Sequence, residues 1–480
     1  MPIIFNRNSI AVVAMVLLLS FTTGFIPYQE QLLPHLAFTA EAGEESCIEY
    51  DEGDNTITVN CNASFLDVVQ TINDSNILEN TGNGEYILNA NLEVADDVSF
   101  EMTSNGDGLL YLKIAGENGI IVHGKILIKG VTITSWNIPE GEVIQQNING
   151  TIRRGYIQFA ESEGSQILNS EFGYLGDFVP GRRGFDLFGE GPTHDMVIRG
   201  SQFHDMWMAF YSRGAYNITV DGNEYFNNIK YALDPHTVTH DMNITNNWLH
   251  HNPIGAICSD RCYNILIEGN RVEHNVNHGI YFSRNMYDSI ARNNYVLNTT
   301  SGITVSESPN NQIYNNTIEG ATSQGIRLFN PELSDDGFTE SNLVYNNSII
   351  DSDNGIAADR SQDNVVANTT FSDIESSEYR LSGNSSLIIR GQHFDNTLIS
   401  DVGSEIGSQI EIASSGMIEV IEGGGAEGGE EEQDADDEEE DPEDGDEEEE
   451  DEGEGELHDT DNEPYRNRLG DGDSIRVISP

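Results

Sequence analysis

The 480-residue sequence predicts an all-β chain wound as a parallel solenoid, and three observations carry that expectation. One phrase recurs at a nearly constant interval, its runs alternate apolar and polar residues, and no helical period outlasts a few residues. The phrase takes the forms NITVDGNEYFNN, NITNNWLHHN, NILIEGNRVEHN, DSIARNNYVLN, NQIYNNTIEG, NLVYNNSIID and NVVANTTFSD. Its Asn returns about every 22–24 residues, apart from one interval of about 31 that holds the insertion NPELSDDGFTES. A second phrase falls between these: HGIYFSRN, SGITVSES, QGIRLFNP and NGIAADRS. A period of this length, with about three short strands, suits one coil of a single-stranded right-handed parallel β-helix. Leucine-rich repeats would need a Leu consensus that is absent, and a propeller blade would need a longer period.

The elements follow in chain order. Residues 1–42 read as a signal peptide or N-terminal anchor with a linker. Arg7 supplies the positive charge, and IAVVAMVLLLSF (10–21) is an apolar run short of the ~20 residues of a membrane span. Cleavage after Gly24 and cleavage after Ala42 both fit. Residues 43–115 are expected to hold the N-terminal cap and first coils. NASFLDVVQTIND (62–74) is the helix candidate, with Asn62 or Ser64 as N-cap and Phe65, Val68, Val69 and Ile72 on one face. A solenoid needs such a cover over its open core. The coils are expected over 116–420, and 421–480 is expected to be a disordered acidic tail. Residues 427–456 contain 22 acids and no Lys or Arg, a block that repels itself.

The net charge of −60 argues against nucleic acid as a partner. The four cysteines form two sequence-local pairs, Cys47 with Cys61 and Cys258 with Cys262, both expected as disulfides in an oxidising compartment. Sequons at Asn149, Asn217, Asn243, Asn298 and Asn384 fit a secreted, cell-surface or periplasmic glycoprotein, although an Asn-rich repeat also generates them. No cofactor or metal is implied. GDGDS (470–474) hints at calcium but lacks the supporting ligands of a calcium loop. His240, His250 and His251 follow no ligand spacing and read as surface.

Stacking turns sequence repeats into spatial neighbours. Aligning Ala209, Ala232, Ala256 and Gly279 puts Tyr211 and Arg213, Asp234 and His236, Cys258 and Asp260, and Tyr281 and Ser283 on one strand face. Asp186 and Phe188 precede them, and a one-residue slip at 255–262 would add Arg261 and Arg284. Eleven of the 22 Lys and Arg lie between Arg153 and Arg292, with doublets Arg153-Arg154 and Arg182-Arg183. On so acidic a chain this concentration points to a positive groove over 182–284 for an anionic ligand.

Within that region YALDPHTVTHDMNITNN resembles the Tyr-Gly-Φ-Asp-Pro-His-Asp/Glu signature of the mannuronan C5-epimerases, parallel β-helix enzymes acting on alginate. The likeness covers about 169–375, including SEFGYLGD, GAICSDR and HGIYFSRN, and is nearest the periplasmic type. It implies an isomerase that removes the proton alpha to a uronate carboxylate and returns one from the opposite face. By that resemblance His236 and Tyr231 are the base and acid, in an order left open, and Asp234 orients them. Arg261 would neutralise the carboxylate, with Arg213, Arg182, Arg183, Arg284, Tyr211 and Tyr281 as further contacts and an anionic polyuronate as partner. The chain departs from the signature at Thr237, where an acid is expected, and at Ser259-Asp260-Arg261, where the family has Ser-Arg. Two other functions remain open at this point: a polysaccharide lyase on the same groove, and a non-catalytic carbohydrate-binding solenoid at the cell surface. Oligomeric state is not legible.

Overall fold

A computed structural model describes residues 47–147, 149–189, 191–331, 338–391, 398–402, 408–412, 419–420 and 474–477. These belong to one compact unit spanning Ser46–Pro480. The leader expected over 1–42, the calcium hint at 470–473 and nearly all of the acidic tail lie outside them.

Alternating residues in each short run send every second side chain inward, and the turns bring each run above its predecessor. Among the described residues the outcome is three sheets of sixteen, fifteen and thirteen strands, each strand paired with its equivalents in the neighbouring coils. Pairing is parallel throughout the coils. Two antiparallel hairpins occur at the N-terminal end, Ile48–Asp51 with Thr56–Val59 and Leu78–Gly82 with Glu85–Leu88. The helix Phe65–Ile72 stands where the sequence places it, with Ser64 as N-cap and Asp67 completing a reciprocal cap. Phe65 and Val68 are buried against the first coils.

Inside, identical registers make single-file aliphatic columns. Ile198, Val220, Ile244, Ile267, Ala291, Ile313, Val344 and Val366 follow one another through consecutive coils, all fully buried. Each large member contributes about 1.5–3 kcal/mol. The repeated Asn forms a second column at a corner. Asn223 donates its backbone N–H and Nδ2 to Asn247 Oδ1, at 2.9 and 3.1 Å, and Asn247 repeats this toward Asn270, at 2.9 and 3.0 Å. Asn294, Asn316 and Asn347 continue the column, and Asn228, Asn252 and Asn275 build another. Only a side chain carrying both a donor and an acceptor propagates such a chain. His240 belongs to an outer stack of rings, lying 5.3 Å from Tyr216 and 4.6 Å from Tyr263 between ring centres.

Two expectations are corrected. Cys47 and Cys61 are bonded, but Cys258 and Cys262 are free. Both of these thiols are buried in the interior column, and Cys262 Sγ lies 3.0 Å from the Ser259 carbonyl oxygen and 3.6 Å from that of Pro235. The tail also contributes structure: Ser474–Val477 pairs in parallel with Gln409–Ile412.

Candidate active site

The strand Met208–Arg213 pairs with Tyr231–His236 so that Tyr211 meets Asp234, Ser212 meets Pro235 and Arg213 meets His236. Asp186 meets Tyr211 one coil earlier. The neighbouring interior positions, Phe210 and Leu233, are in the core, so Asp186, Tyr211 and Asp234 form one outward row. Phe188, Arg213 and His236 form a second row two residues along.

Beyond His236 the expected alignment is off by one. Leu233 pairs with Ala256, and Ala256 with Ile280. Ile257 and Ser259, rather than Cys258 and Asp260, therefore continue the two rows toward Tyr281 and Ser283. Cys258 instead faces the core. Asp260 and Arg261 occupy the corner after the strand, both in the left-handed conformation, at φ 59°. Thr237 and Val238 hold the equivalent corner one coil earlier, at φ 25° and 51°, and Arg284 and Asn285 one coil later, at 50° and 60°. Two successive β-branched residues with positive φ are a costly choice for a corner.

A bulge shapes the entrance to this strand pair. Between Gly184/Asp186 and Met208/Tyr211 the register shifts, so three residues of one strand span two of the other. Met208 and Tyr211 thereby join Trp207 in a buried apolar cluster separate from the core, and Tyr231, Phe188 and Phe178 pack against it. Bulges re-aim side chains in this way beside many active sites. Tyr231 is half-buried in the groove wall, five residues before His236.

The cations divide into committed and available groups. Arg183 is buried, 3.9 Å above the Tyr211 ring and 3.5 Å from Asp186, so it supports the floor rather than lining the surface. Burial pushes the Asp186 carboxyl up to about 6 against the pull of Arg183. Arg182 is paired with Glu117 at 3.4 Å and Asp177 at 3.5 Å, and Arg153 with Asp177 at 3.1 Å. Arg261 clasps Asp260 with Nε and Nη2, at 2.7 and 3.0 Å, while remaining 60% exposed. Arg213 and Arg284 are exposed and have no acidic partner among the described residues. Arg213 lies 5.6 Å over the Phe188 ring.

His236 is buried, stacked 5.5 Å from Tyr211, with Nδ1 2.7 Å from Thr237 Oγ1. Burial alone would raise the Asp260 carboxyl; bonds from Arg261 and Thr237, with the nearby Arg261 and His236 charges, hold it below the usual range. Asp234 is buried beside these groups. Sequence reasoning missed two groups of this region. Lys230 lies 5.6 Å over the Trp207 ring, a pairing set by the bulge. Half-buried His278 contacts Thr304 at 2.9 Å, and desolvation of its ring, with Arg327 adding to it, pushes its imidazole down to about 3.

A family profile described as "Right handed beta helix region" matches residues 119–296, 191–332 and 293–422, together more than half of the chain. The chain belongs to the right-handed β-helix family. This β-helix protein is also similar to two curated mannuronan C5-epimerases. That of Pseudomonas syringae pv. tomato is 26% identical over 249 residues, 49% of this chain and 46% of the relative. That of Pseudomonas putida is 30% identical over 236 residues, 46% of this chain and 45% of the relative. The chain thus spans a little under half the length of each. Among solved structures, the periplasmic alginate epimerase AlgG superimposes with a TM-score of 0.57 at 20% identity, covering 76% of this chain and 85% of that one, a likeness of fold.

Proposed function

We propose that this β-helix protein is a polyuronate C5-epimerase of the mannuronan type, acting on an anionic polysaccharide laid across the outward rows at 186–284. The observation that carries the reading is the pairing of Arg213 with His236, with Asp234 and Tyr211 one row away. Similarity to two mannuronan C5-epimerases, each over a little under half of the chain, supports it.

The chemistry asks for three groups. The C5 proton is weakly acidic while the adjacent carboxylate is charged, so a cation must bind that carboxylate as its carbon–hydrogen bond breaks. Arg213 fits this part better than Arg261, because its guanidinium has no acidic partner among the described residues and stands beside His236. A base then takes the C5 proton, and the electron pair left on carbon moves into the neutralised carboxylate. An acid returns a proton to the opposite face, giving the C5 epimer with no net change in atoms. His236 and Tyr231 share these two roles. Asp234, buried in the same strand, orients the imidazole. Arg284 and the half-buried Tyr281 extend the groove toward neighbouring sugar units. Export through the apolar segment at 10–21 completes the proposal, in keeping with the Cys47–Cys61 disulfide.

Polymannuronate incubated with the protein in deuterated water tests the reading. Deuterium entering at C5 with new guluronate signals in the NMR spectrum, and no rise in absorbance from unsaturated ends, is the expected result. A rise in that absorbance would replace the epimerase with a lyase. Unchanged polymer that still binds would leave a non-catalytic solenoid.

A further inference from the structure

Three side chains from consecutive coils lie in file beside the groove: Arg183, Tyr211 and His236. The Arg183 guanidinium carbon stands 3.9 Å from the centre of the Tyr211 ring. That ring stacks in turn on the His236 imidazole, 5.5 Å between centres and 27° from parallel. We propose that Arg183 is a positioning residue for His236, acting through Tyr211: the guanidinium fixes the plane of the phenol ring, and the ring fixes the plane of the imidazole. This role rests on the reading of His236 as a catalytic group.

The plane of an imidazole decides where its nitrogens point, and the torsion that sets it has only a broad preference of its own. Tyrosine shares that softness, so two stacked rings need a fixed base. Arg183 supplies one. It is buried, and its backbone N–H donates to Asp186 Oδ2 at 3.1 Å. Its Nη1 lies 3.5 Å from the same oxygen, and its carbonyl oxygen accepts from the Met208 N–H at 2.9 Å. The bulge brings it there: Asp186 pairs with Tyr211, and Arg183, three residues earlier, turns its guanidinium to both. The preceding loop passes so close that a Cβ on Gly176, at φ 84°, would stand 2.2 Å from the Arg183 carbonyl oxygen. Phe188 flanks the same guanidinium at 5.6 Å. A flat, permanently charged and weakly hydrated group suits burial against an aromatic face, and a desolvated contact of this kind contributes about 2 kcal/mol.

Arg183 and Tyr211 thus take a task unlike the substrate contacts the resemblance suggests. Both are buried, so loss of the guanidinium should lower kcat and leave KM in place. A misplacement of 1 Å can cost ~10²-fold; a stack that is loosened while His236 stays should cost about tenfold.

The test uses the full chain labelled with ¹³C-histidine, with His236 assigned by comparison with His236→Gln. The Tyr211 ring current moves the His236 ring protons upfield in the unliganded protein, whether or not it turns over polymannuronate, and Tyr211→Leu gives the unstacked value. Arg183→Met would leave Asp186 buried without its cation, so it is combined with Asp186→Asn. Arg183→Lys is the second variant, keeping a charge beside Asp186 without the flat face. The expected result is an upfield shift that persists in Asp186→Asn alone and moves most of the way to the Tyr211→Leu value in both Arg183 variants. With an active wild type, those variants lose about tenfold in kcat at unchanged KM, and Asp186→Asn does not. A shift retained in both Arg183 variants would overturn the proposal even if epimerase activity is present. A lost shift with kcat unchanged would overturn it as well, leaving the stack as packing alone. A wild type that shows the expected shifts but no turnover would instead overturn the functional reading.

Discussion

Asn247→Ala removes one member of the corner column and should be among the most destabilising single changes in the coils. The Asn247 side chain is fully buried. Its Oδ1 accepts from the Asn223 N–H at 2.9 Å and Nδ2 at 3.1 Å, and its Nδ2 donates to the Val220 carbonyl oxygen and Asn270 Oδ1, each at 3.0 Å. After truncation Asn223 Nδ2 keeps the Ile198 carbonyl, and Asn270 Oδ1 keeps the Asn247 N–H. The Asn223 N–H and one lone pair of the Val220 carbonyl lose their partner in a place water does not reach. A buried polar group left unmade costs about 1–3 kcal/mol, so the two together cost about 2–6 kcal/mol. That is a large share of the roughly 5–15 kcal/mol that holds a domain folded. Urea unfolding followed by circular dichroism measures the loss, and amide exchange at Asn223 localises it. Asn243→Ala is the control: it lies four residues earlier on an exposed strand position and should stay within about 0.5 kcal/mol of wild type. If Asn247→Ala costs no more than Asn243→Ala, the column is a by-product of the repeat and not a source of its stability.

Further outcomes follow from the site and the core. His236→Gln should abolish C5 deuterium exchange while leaving the unfolding midpoint within a few degrees of wild type, because the ring sits in the groove and not in the core. Arg213→Gln should lower turnover more than Arg261→Gln, since Arg213 has no acidic partner among the described residues while Arg261 is clasped to Asp260; equal losses in steady-state assays would count against that division. Cys258 and Cys262 should resist a thiol reagent in the native protein and both react once it is unfolded, because burial raises both thiols and denies access. His278, pushed down to about 3 by burial and then by Arg327, stays neutral in the fold and takes a proton more readily when unfolded, near its ordinary value of 6.5. Stability from this group is present above about 6.5 and is lost as pH falls toward 3. His278→Gln should therefore show a flatter decline than wild type across that window in thermal unfolding.

The repeat made the coils readable because the Asn phrase is a physical requirement: each corner amide must both donate and accept. The first two rungs of the site were equally readable, since Ala209 and Ala232 begin coils of equal length and put Asp234 beside Tyr211. Register then slips at Leu233, which pairs with Ala256. No composition signal marks that slip. Its consequence is large, because a one-residue shift exchanges the inward and outward faces. It turned Cys258 into the core and carried Asp260 off the strand into the corner. The pairing of Cys258 with Cys262 failed for the same reason: spacing suggested a surface bridge, while the interior column took both thiols as small apolar fillers. The sequence also counted Arg183 among the groove cations, and only packing could reveal that its guanidinium lies beneath Tyr211.

In a β-helix, a missing group has two places from which it can be replaced: a neighbour along the chain, or the equivalent position one coil away. The second lies only ~4.8 Å off and is invisible to a linear motif. Thr237 reads as a broken motif along the chain. Across the coils its hydroxyl lies 2.7 Å from His236 Nδ1, and the next corner carries Asp260, clasped by Arg261. The Ser-Asp-Arg departure at 259–261 sets an extra acid one corner above the Thr departure at 237. This predicts that Thr237→Asp alone, which matches the family signature more closely, lowers activity by setting two carboxylates against each other. Adding Asp260→Asn should restore it, and a single substitution that raised turnover by itself would break the argument.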